Sequence, residues 1–265
     1  MKPKAYVSVF RMRLKMELTY RGAVIGGVLC QVFFGLILVS LYRALYASRP
    51  QDMPVEQVAS YVWLQQAFFR MLLSSDAELA DKIRTGDIAY DLCRPLNLYG
   101  FYYMRILAQK LTGSLLRALP MLLFAVALPR GWSLSAPASP AALALALAGL
   151  LPGLACVCAI ENITTGITMR TLDPRGIQAI LNLLMTFMAG NLLPLTLFPD
   201  AWQRVMTLLP WAQILDTPIR LYTGRISPAQ APAALGVQAA WALALGALGV
   251  LLWRQNQKRL VLQGG

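Results

Sequence analysis

Ser75–Leu98 reads SDAELADKIRTGDIAYDLCRPLNL. Acids and bases alternate along it, Gly86 interrupts it, and Arg94-Pro95 closes it. The sequence on both sides is apolar over runs long enough for membrane helices. The stretch is therefore where a lipid-soluble chain meets water. Its residues also predict a bent helical pair. Ser75 and Glu78 have the S-x-x-E spacing of a capping box. Leu79 and Ile83, four apart, form one apolar edge. Gly86 suits a helix C-terminus. Asp87 can open a second short turn, and Pro95 ends it by restricting Arg94. Asp81 and Arg84 can pair along the helix, which at an exposed site contributes only about 0–1 kcal/mol.

The whole chain supports this contrast. It is 57% hydrophobic and 14% charged, with mean hydropathy +0.55. A soluble domain carries roughly 25% charged residues. An all-α, polytopic membrane protein forming a single domain over 1–265 is expected. The net charge of +12 does not call for nucleic acid, because the basic residues cluster at helix ends. Histidine is absent, which removes the commonest general base and metal ligand. Cys30, Cys93, Cys156 and Cys158 lack zinc or redox spacing and are expected to be buried or inert thiols. No catalytic carboxylate pair, metal motif or phosphate loop is present, so neither catalysis nor a resident metal or cofactor is expected.

Six spans are expected, at about residues 22–45, 58–74, 111–128, 141–160, 176–197 and 231–253. Before them, Val7, Phe10, Leu14 and Leu18 form a stripe beside Lys4, Arg11 and Lys15, a pattern suited to an amphipathic helix on anionic lipid. The run after this basic leader is too long for a cleavable signal and reads as the first span. Gly22, Gly26, Gly27 and Gly35 would allow close helix contact in it. In the second span, Gln66, Arg70 and Ser74 share a face, which either lines a transport path or carries an arginine that snorkels or pairs structurally. Arg117 and Pro120 call for a partner and a kink in the third, and Pro152-Gly153 for a kink in the fourth. Residues 161–175 read as a polar loop. Asn182 and Asn191 are further path candidates in the fifth span. Pro194 and Pro199 break its end, and Trp202, Val205, Met206 and Leu209 outline a short amphipathic piece before Pro210. A second short piece runs from Pro218 to Gly224.

With the N-terminus inside, 17 of the 24 basic residues lie on the inner side, six lie outside, and Arg70 lies within a span. This bias predicts cytoplasmic termini and a cytoplasmic 75–98 segment.

Two blocks resemble a known family. Ile83-Arg-Thr-Gly86-Asp-Ile88 through Leu92-Cys-Arg94-Pro95-Leu96 is similar to a segment between spans 2 and 3 of the membrane permease subunits of bacterial type-2 ABC exporters. Gly190-Asn-Leu-Leu-Pro194-Leu-Thr-Leu-Phe198-Pro199 through Leu209-Pro210-Trp211, ending near Tyr222-Thr-Gly224, is similar to the segment after their span 5. Trp211 stands where that family usually has Phe. The six-span layout extends the resemblance over essentially the whole chain.

The resemblance implies a permease without its own ATPase, in the bacterial plasma membrane. It would pair with a second permease, identical or a sister subunit, and with two copies of a cytoplasmic ATP-binding subunit that binds ATP and Mg. Glu78, Asp81, Ile83, Arg84, Gly86, Asp87, Ile88, Arg94 and Pro95 would couple to that ATPase. The N-terminal amphipathic helix would connect at the membrane surface. Pro194, Pro199, Trp202 and Pro210 would belong to an extracellular re-entrant region. A substrate path of Gln66, Arg70, Asn182 and Asn191 suits amphipathic, drug-like or lipid-like molecules. The alternative is a self-contained ion-coupled carrier or channel, which would transport without ATP.

Overall fold

The computed structural model describes residues 3–19, 21–48, 53–72, 77–93, 96–191 and 193–257. Arg94, Pro95, Ser74, Ser75 and the basic tail from Lys258 lie outside the described residues. Within them the fold is all-α. In order the helices are α1 (Pro3–Thr19), α2 (Arg21–Ser48), α3 (Val55–Ala67), α4 (Phe69–Leu72), α5 (Ala77–Thr85), α6 (Ile88–Leu92), α7 (Leu98–Ala127), α8 (Pro140–Thr171) and α9 (Arg175–Met188). After a 3-10 turn (Leu195–Leu197) come α10 (Asp200–Met206), α11 (Asp216–Tyr222) and α12 (Ala231–Gln257).

Among the described residues, four stretches are long and apolar enough to cross a membrane: Gly22–Ala47, Leu98–Ala127, Pro140–Thr171 and Ala231–Gln257. Their outer faces expose Leu29, Phe33, Leu123 and Leu243, a surface that hydrocarbon can cover. This is a multi-pass membrane protein.

Contacts define two ends. At one, the Trp63 indole donates to the Trp132 carbonyl (2.6 Å), Tyr222 Oη to the Ser135 carbonyl (2.8 Å) and Arg225 to Gln57 (3.3 Å). At the other, the Trp253 indole donates to the Asn162 carbonyl (2.7 Å) and the Asn256 amide to the Gly166 carbonyl (2.6 Å). The helix pair α5–α6 sits at this second end. The main core lies between them, where α3, α7, α8 and α11 meet.

Local chemistry explains the helix ends. Asn97 Oδ1 accepts the Gly100 N–H (2.9 Å) and starts α7; Ser139 Oγ accepts the Ala142 N–H (3.0 Å) and starts α8, with Pro140 in its first turn. Both helices continue through their prolines, Pro120 and Pro152. The expected polar loop after residue 160 is instead more α8. Asn162, Thr164, Thr165 and Thr168 each donate to the carbonyl four residues back, so these donors are satisfied within the helix. The helix stops where Leu172 turns left-handed (φ 58°), two residues before Pro174.

Two expected spans are not continuous long helices. The 58–74 stretch breaks at Phe68 between α3 and α4. The 176–197 stretch leaves helix after Met188, where Gly190 has φ 72°. The carbonyl of Ala189, freed there and fully buried, accepts from Gln65 Nε2 at 2.8 Å. That is the cover that irregular backbone needs in an apolar setting.

Other expectations are also adjusted. Cys156 and Cys158 are buried, whereas Cys30 and Cys93 are exposed; all four are free thiols. A Cβ at Gly22 or Gly26 would meet nothing within 4 Å among the described residues. Gly27 is backed by the Arg117 guanidinium and Gly35 by the Trp63 ring. Arg117 finds its partner in the Ala23 carbonyl (3.3 Å). On α10, Met206 is buried while Trp202 and Val205 are exposed, so most of that apolar face is left uncovered by the described residues. Finally, α1 runs alongside the first half of α7, with Tyr6 against Gly100 and Glu17 near Gly113. Its buried position is Arg13; Val7, Leu18, Lys4, Arg11 and Lys15 face outward.

Candidate functional site

The helix pair has two faces. Gly86, at φ 83°, makes the bend. A Cβ there would meet nothing, so backbone conformation alone requires glycine. On the inner face Leu79, Ile83 and Ile88 are buried among Phe101, Tyr102, Met169 and Trp253, from α7, α8 and α12. Each such side chain contributes roughly 1.5–3 kcal/mol on full burial. The exposed Asp81–Arg84 pair (3.2 Å) is worth about 0–1 kcal/mol. Apolar contact therefore holds the pair in place.

Charges fix its position. Glu78 Oε2 receives Arg13 Nη2 from α1 (2.7 Å) and Arg105 Nη2 from α7 (2.6 Å). Partial burial pushes the Glu78 carboxyl up, but the two guanidinium groups outweigh it and hold it below the ordinary range. Asp91, on α6, accepts from Lys82 Nζ (3.1 Å) and from Tyr102 Oη (2.6 Å). It closes α6 onto α5 and both onto α7. The outer face carries Asp81, Arg84, Asp87 and Tyr90, the last 75% exposed. Thr85 Oγ1 donates to Asp87 (2.8 Å).

The sequence-derived coupling set thus divides. Ile83 and Ile88 face inward, Glu78 is a clamp, and Asp81, Arg84 and Asp87 face solvent. Arg94 and Pro95 lie outside the described residues. Arg13, Lys82, Asp91, Tyr102 and Arg105 complete the site and were missed. No local spacing marks Arg13 or Arg105, which stand 65 and 27 residues from Glu78.

Behind α5 lies a cleft lined by Ile83, Glu161, Thr164, Thr168, Asn182 and Met185, among others. Lys110, fully buried on α7, meets Glu161 at 2.6 Å and donates to the Met71 carbonyl at 2.9 Å. The four path candidates have different surroundings. Asn182 borders this cleft. Asn191 borders a separate small cavity with Tyr61 and Gln65. Gln66 is buried on α3, and Arg70 packs over Gly113 near Glu17.

Toward the other end, residues 207–215 are irregular but supported. Gln213 Nε2 donates to the Thr207 carbonyl, Gln238 Nε2 donates to the Gln213 carbonyl (2.6 Å), and Gly153 lies against the Ile214 carbonyl. Gly149 and Gly153, which this segment and Pro218 touch, lie roughly 14–20 Å along α8 from its start. Tyr61 Oη donates to the buried Asp216 (2.6 Å). Pro194 and Pro210 are buried, whereas Pro199 and Trp202 are exposed.

No curated protein matches the sequence. The family model described as ABC-2 family transporter protein matches residues 51–264. That match takes in the helix pair, the cleft and every helix from α3 to α12, and the chain belongs to the ABC-2 family of transporter proteins.

Proposed function

We propose that the chain is the membrane permease subunit of an ATP-driven exporter in the bacterial plasma membrane, powered by a separate ATPase. The two-faced helix pair carries this reading. Its apolar face is seated on three long helices, and its charged face is left to solvent. A movement imposed on Asp81, Arg84 and Asp87 would pass through Leu79, Ile83 and Ile88 into α7, α8 and α12. Two copies of an ATP-binding subunit would impose that movement, and ATP would bind only there. A second permease, identical or a sister chain, would complete the transport path. The chain itself catalyses nothing.

Six spans in a single domain over 1–265 fit the alternation of the chain between its two ends. Short α3–α4 and α9 would then be spans whose irregular parts are covered by protein. The basic-residue bias favours cytoplasmic termini and a cytoplasmic helix pair. α1 would lie at the membrane surface with its exposed apolar residues toward lipid. The region from Pro194 through Trp202 and Pro210 to Tyr222 would be an extracellular re-entrant segment. An amphipathic substrate would cross by alternating access.

The test is co-purification with an ATP-binding subunit, followed by ATPase assay in liposomes. The permease alone should hydrolyse no ATP. Asp87→Arg should leave insertion intact and reduce coupled ATPase activity. Unchanged activity would remove the lever, and transport by the chain alone without ATP would favour an ion-coupled carrier.

A further inference from the structure

The cleft behind α5 has a chemistry of its own. Among the described residues that line it, Glu161 is the charged one. Thr164, Thr165 and Thr168 stand beside it on α8, each donating its hydroxyl proton to the carbonyl four residues back at 2.9–3.0 Å. A hydroxyl committed in this way offers a ligand lone pairs only. The α8 side of the cleft is therefore rich in acceptors, while the amides of Gln178 and Asn182 on α9, which also line it, can donate or accept. Lys110 balances Glu161 from behind, fully buried, and does not line the cleft. The start of α9 borders the cleft at Pro174, but the Asp173 carboxylate accepts the Arg175 N–H there (2.9 Å) and covers the positive helix end. An anionic head group would find no cation on this wall.

Depth supplies the second constraint. Glu161 lies about 32 Å along α8 from Pro140, which matches the roughly 30 Å of a bilayer's hydrocarbon layer. A polar head group held at Glu161 would sit at the boundary and leave an attached apolar tail in lipid. Leu181 and Met185 of α9 give the cleft an apolar side.

We propose that this cleft binds the protonated-amine head group of an amphiphile, with Glu161 and the three threonines as its acceptors. Its meaning as a substrate site rests on the exporter reading; the binding itself rests only on the cleft. Ala80 and Ile83 of α5 also line it, so the occupied cleft touches the helix pair. The ligand would bias that pair through its differential affinity for two arrangements.

The test uses the full chain in phosphatidylcholine nanodiscs and two fluorescent probes, a dansyl-tagged undecylamine and the matching dansyl-tagged undecanoate. The amine should bind at least about tenfold more tightly than the carboxylate, and Glu161→Gln should weaken it by about tenfold or more. Should Glu161→Gln fail to fold, the double variant Thr165→Val, Thr168→Val decides, with a loss of about threefold expected. Equal affinity for the two probes, or unchanged amine affinity in the folded variant, overturns the proposal. Nanodiscs containing phosphatidylethanolamine identify the source of the amine. Displacement of the probe assigns the site to a lipid head group, and retention assigns it to a transported amphiphile. Failure of an ATPase subunit to co-purify would sink the exporter reading and leave the binding result intact.

Discussion

Arg13 and Glu78, 65 residues apart in sequence, meet at 2.7 Å, and the contact ties the N-terminal helix to the charged helix pair. Arg105 reaches the same carboxylate from α7. The Glu78 side chain is 52% exposed, so its contribution to global stability is small, about 0–1 kcal/mol. Its expected effect is local. In Glu78→Gln, hydrogen exchange across residues 77–93 should quicken at neutral pH with little change in melting temperature. The pH dependence has a definite sign. The folded carboxyl titrates below its ordinary value of 4.5, so the clamp is intact above that value and is lost as pH falls through the lowered one. The difference between wild type and variant should shrink over that acid range. Identical exchange at neutral pH would show that the clamp does not hold the pair.

Gly86 gives the second prediction. Its φ of 83° costs a residue with a Cβ roughly 1–2 kcal/mol, and nothing crowds the position. Gly86→Ala should therefore strain only the bend, and Gly86→Asn should strain it less, because Asn tolerates this region. Gly86→Pro cannot adopt the angle. All three variants should insert and fold through the four long helices. Coupled ATPase activity should fall in the order Asn, Ala, Pro, from slight loss to near abolition. Equal activity in all three would mean that the bend transmits nothing.

Much of this architecture is legible in sequence because it follows from short-range rules. The four-residue spacing of Leu79 and Ile83 fixes the inner edge of α5, and Gly86 marks its end. The apolar lengths of α2, α7, α8 and α12 announce membrane helices. What could not be read depends on partners far along the chain. The end of α9 is set by the Gln65 amide donating to the Ala189 carbonyl and by the turn at Gly190, and an apolar run through residue 197 hides both. Likewise the polar residues after Ile160 resemble a loop until their hydroxyls are seen bonding back along α8. The four candidate path residues share polarity but not surroundings, because polarity alone does not say which face of which helix a neighbour covers.

Gly153 illustrates this and yields the third prediction. In sequence it sits after Pro152 and suggests a kink. In the fold a Cβ at that position would collide with the Ile214 carbonyl. Gly153→Ala should force α8 away from the irregular 207–215 segment at a cost of about 1–3 kcal/mol. Gly246→Ala on α12 meets nothing and should be neutral or slightly stabilising, since alanine favours helix. Thermal unfolding in detergent measures both. A Gly153→Ala protein as stable as Gly246→Ala would mean that the close approach is not maintained.

The Lys110–Glu161 pair gives the last prediction, because its partners differ in burial. Lys110 is fully buried, while Glu161 keeps 17% of its side chain exposed toward the cleft. Removing the acid leaves an ammonium group away from water, with the Met71 carbonyl still accepting from it. Removing the base leaves a carboxylate that the cleft can still hydrate. Glu161→Gln should therefore destabilise more than Lys110→Met, approaching the roughly 3–5 kcal/mol of a broken buried pair. The double variant Lys110→Met, Glu161→Gln should recover most of that loss, since neither charge then remains to be desolvated. Thermal unfolding of the three proteins at one pH measures the cycle. Additive losses would mean that the two charges do not depend on each other, and the cleft wall would then present Glu161 without support from Lys110.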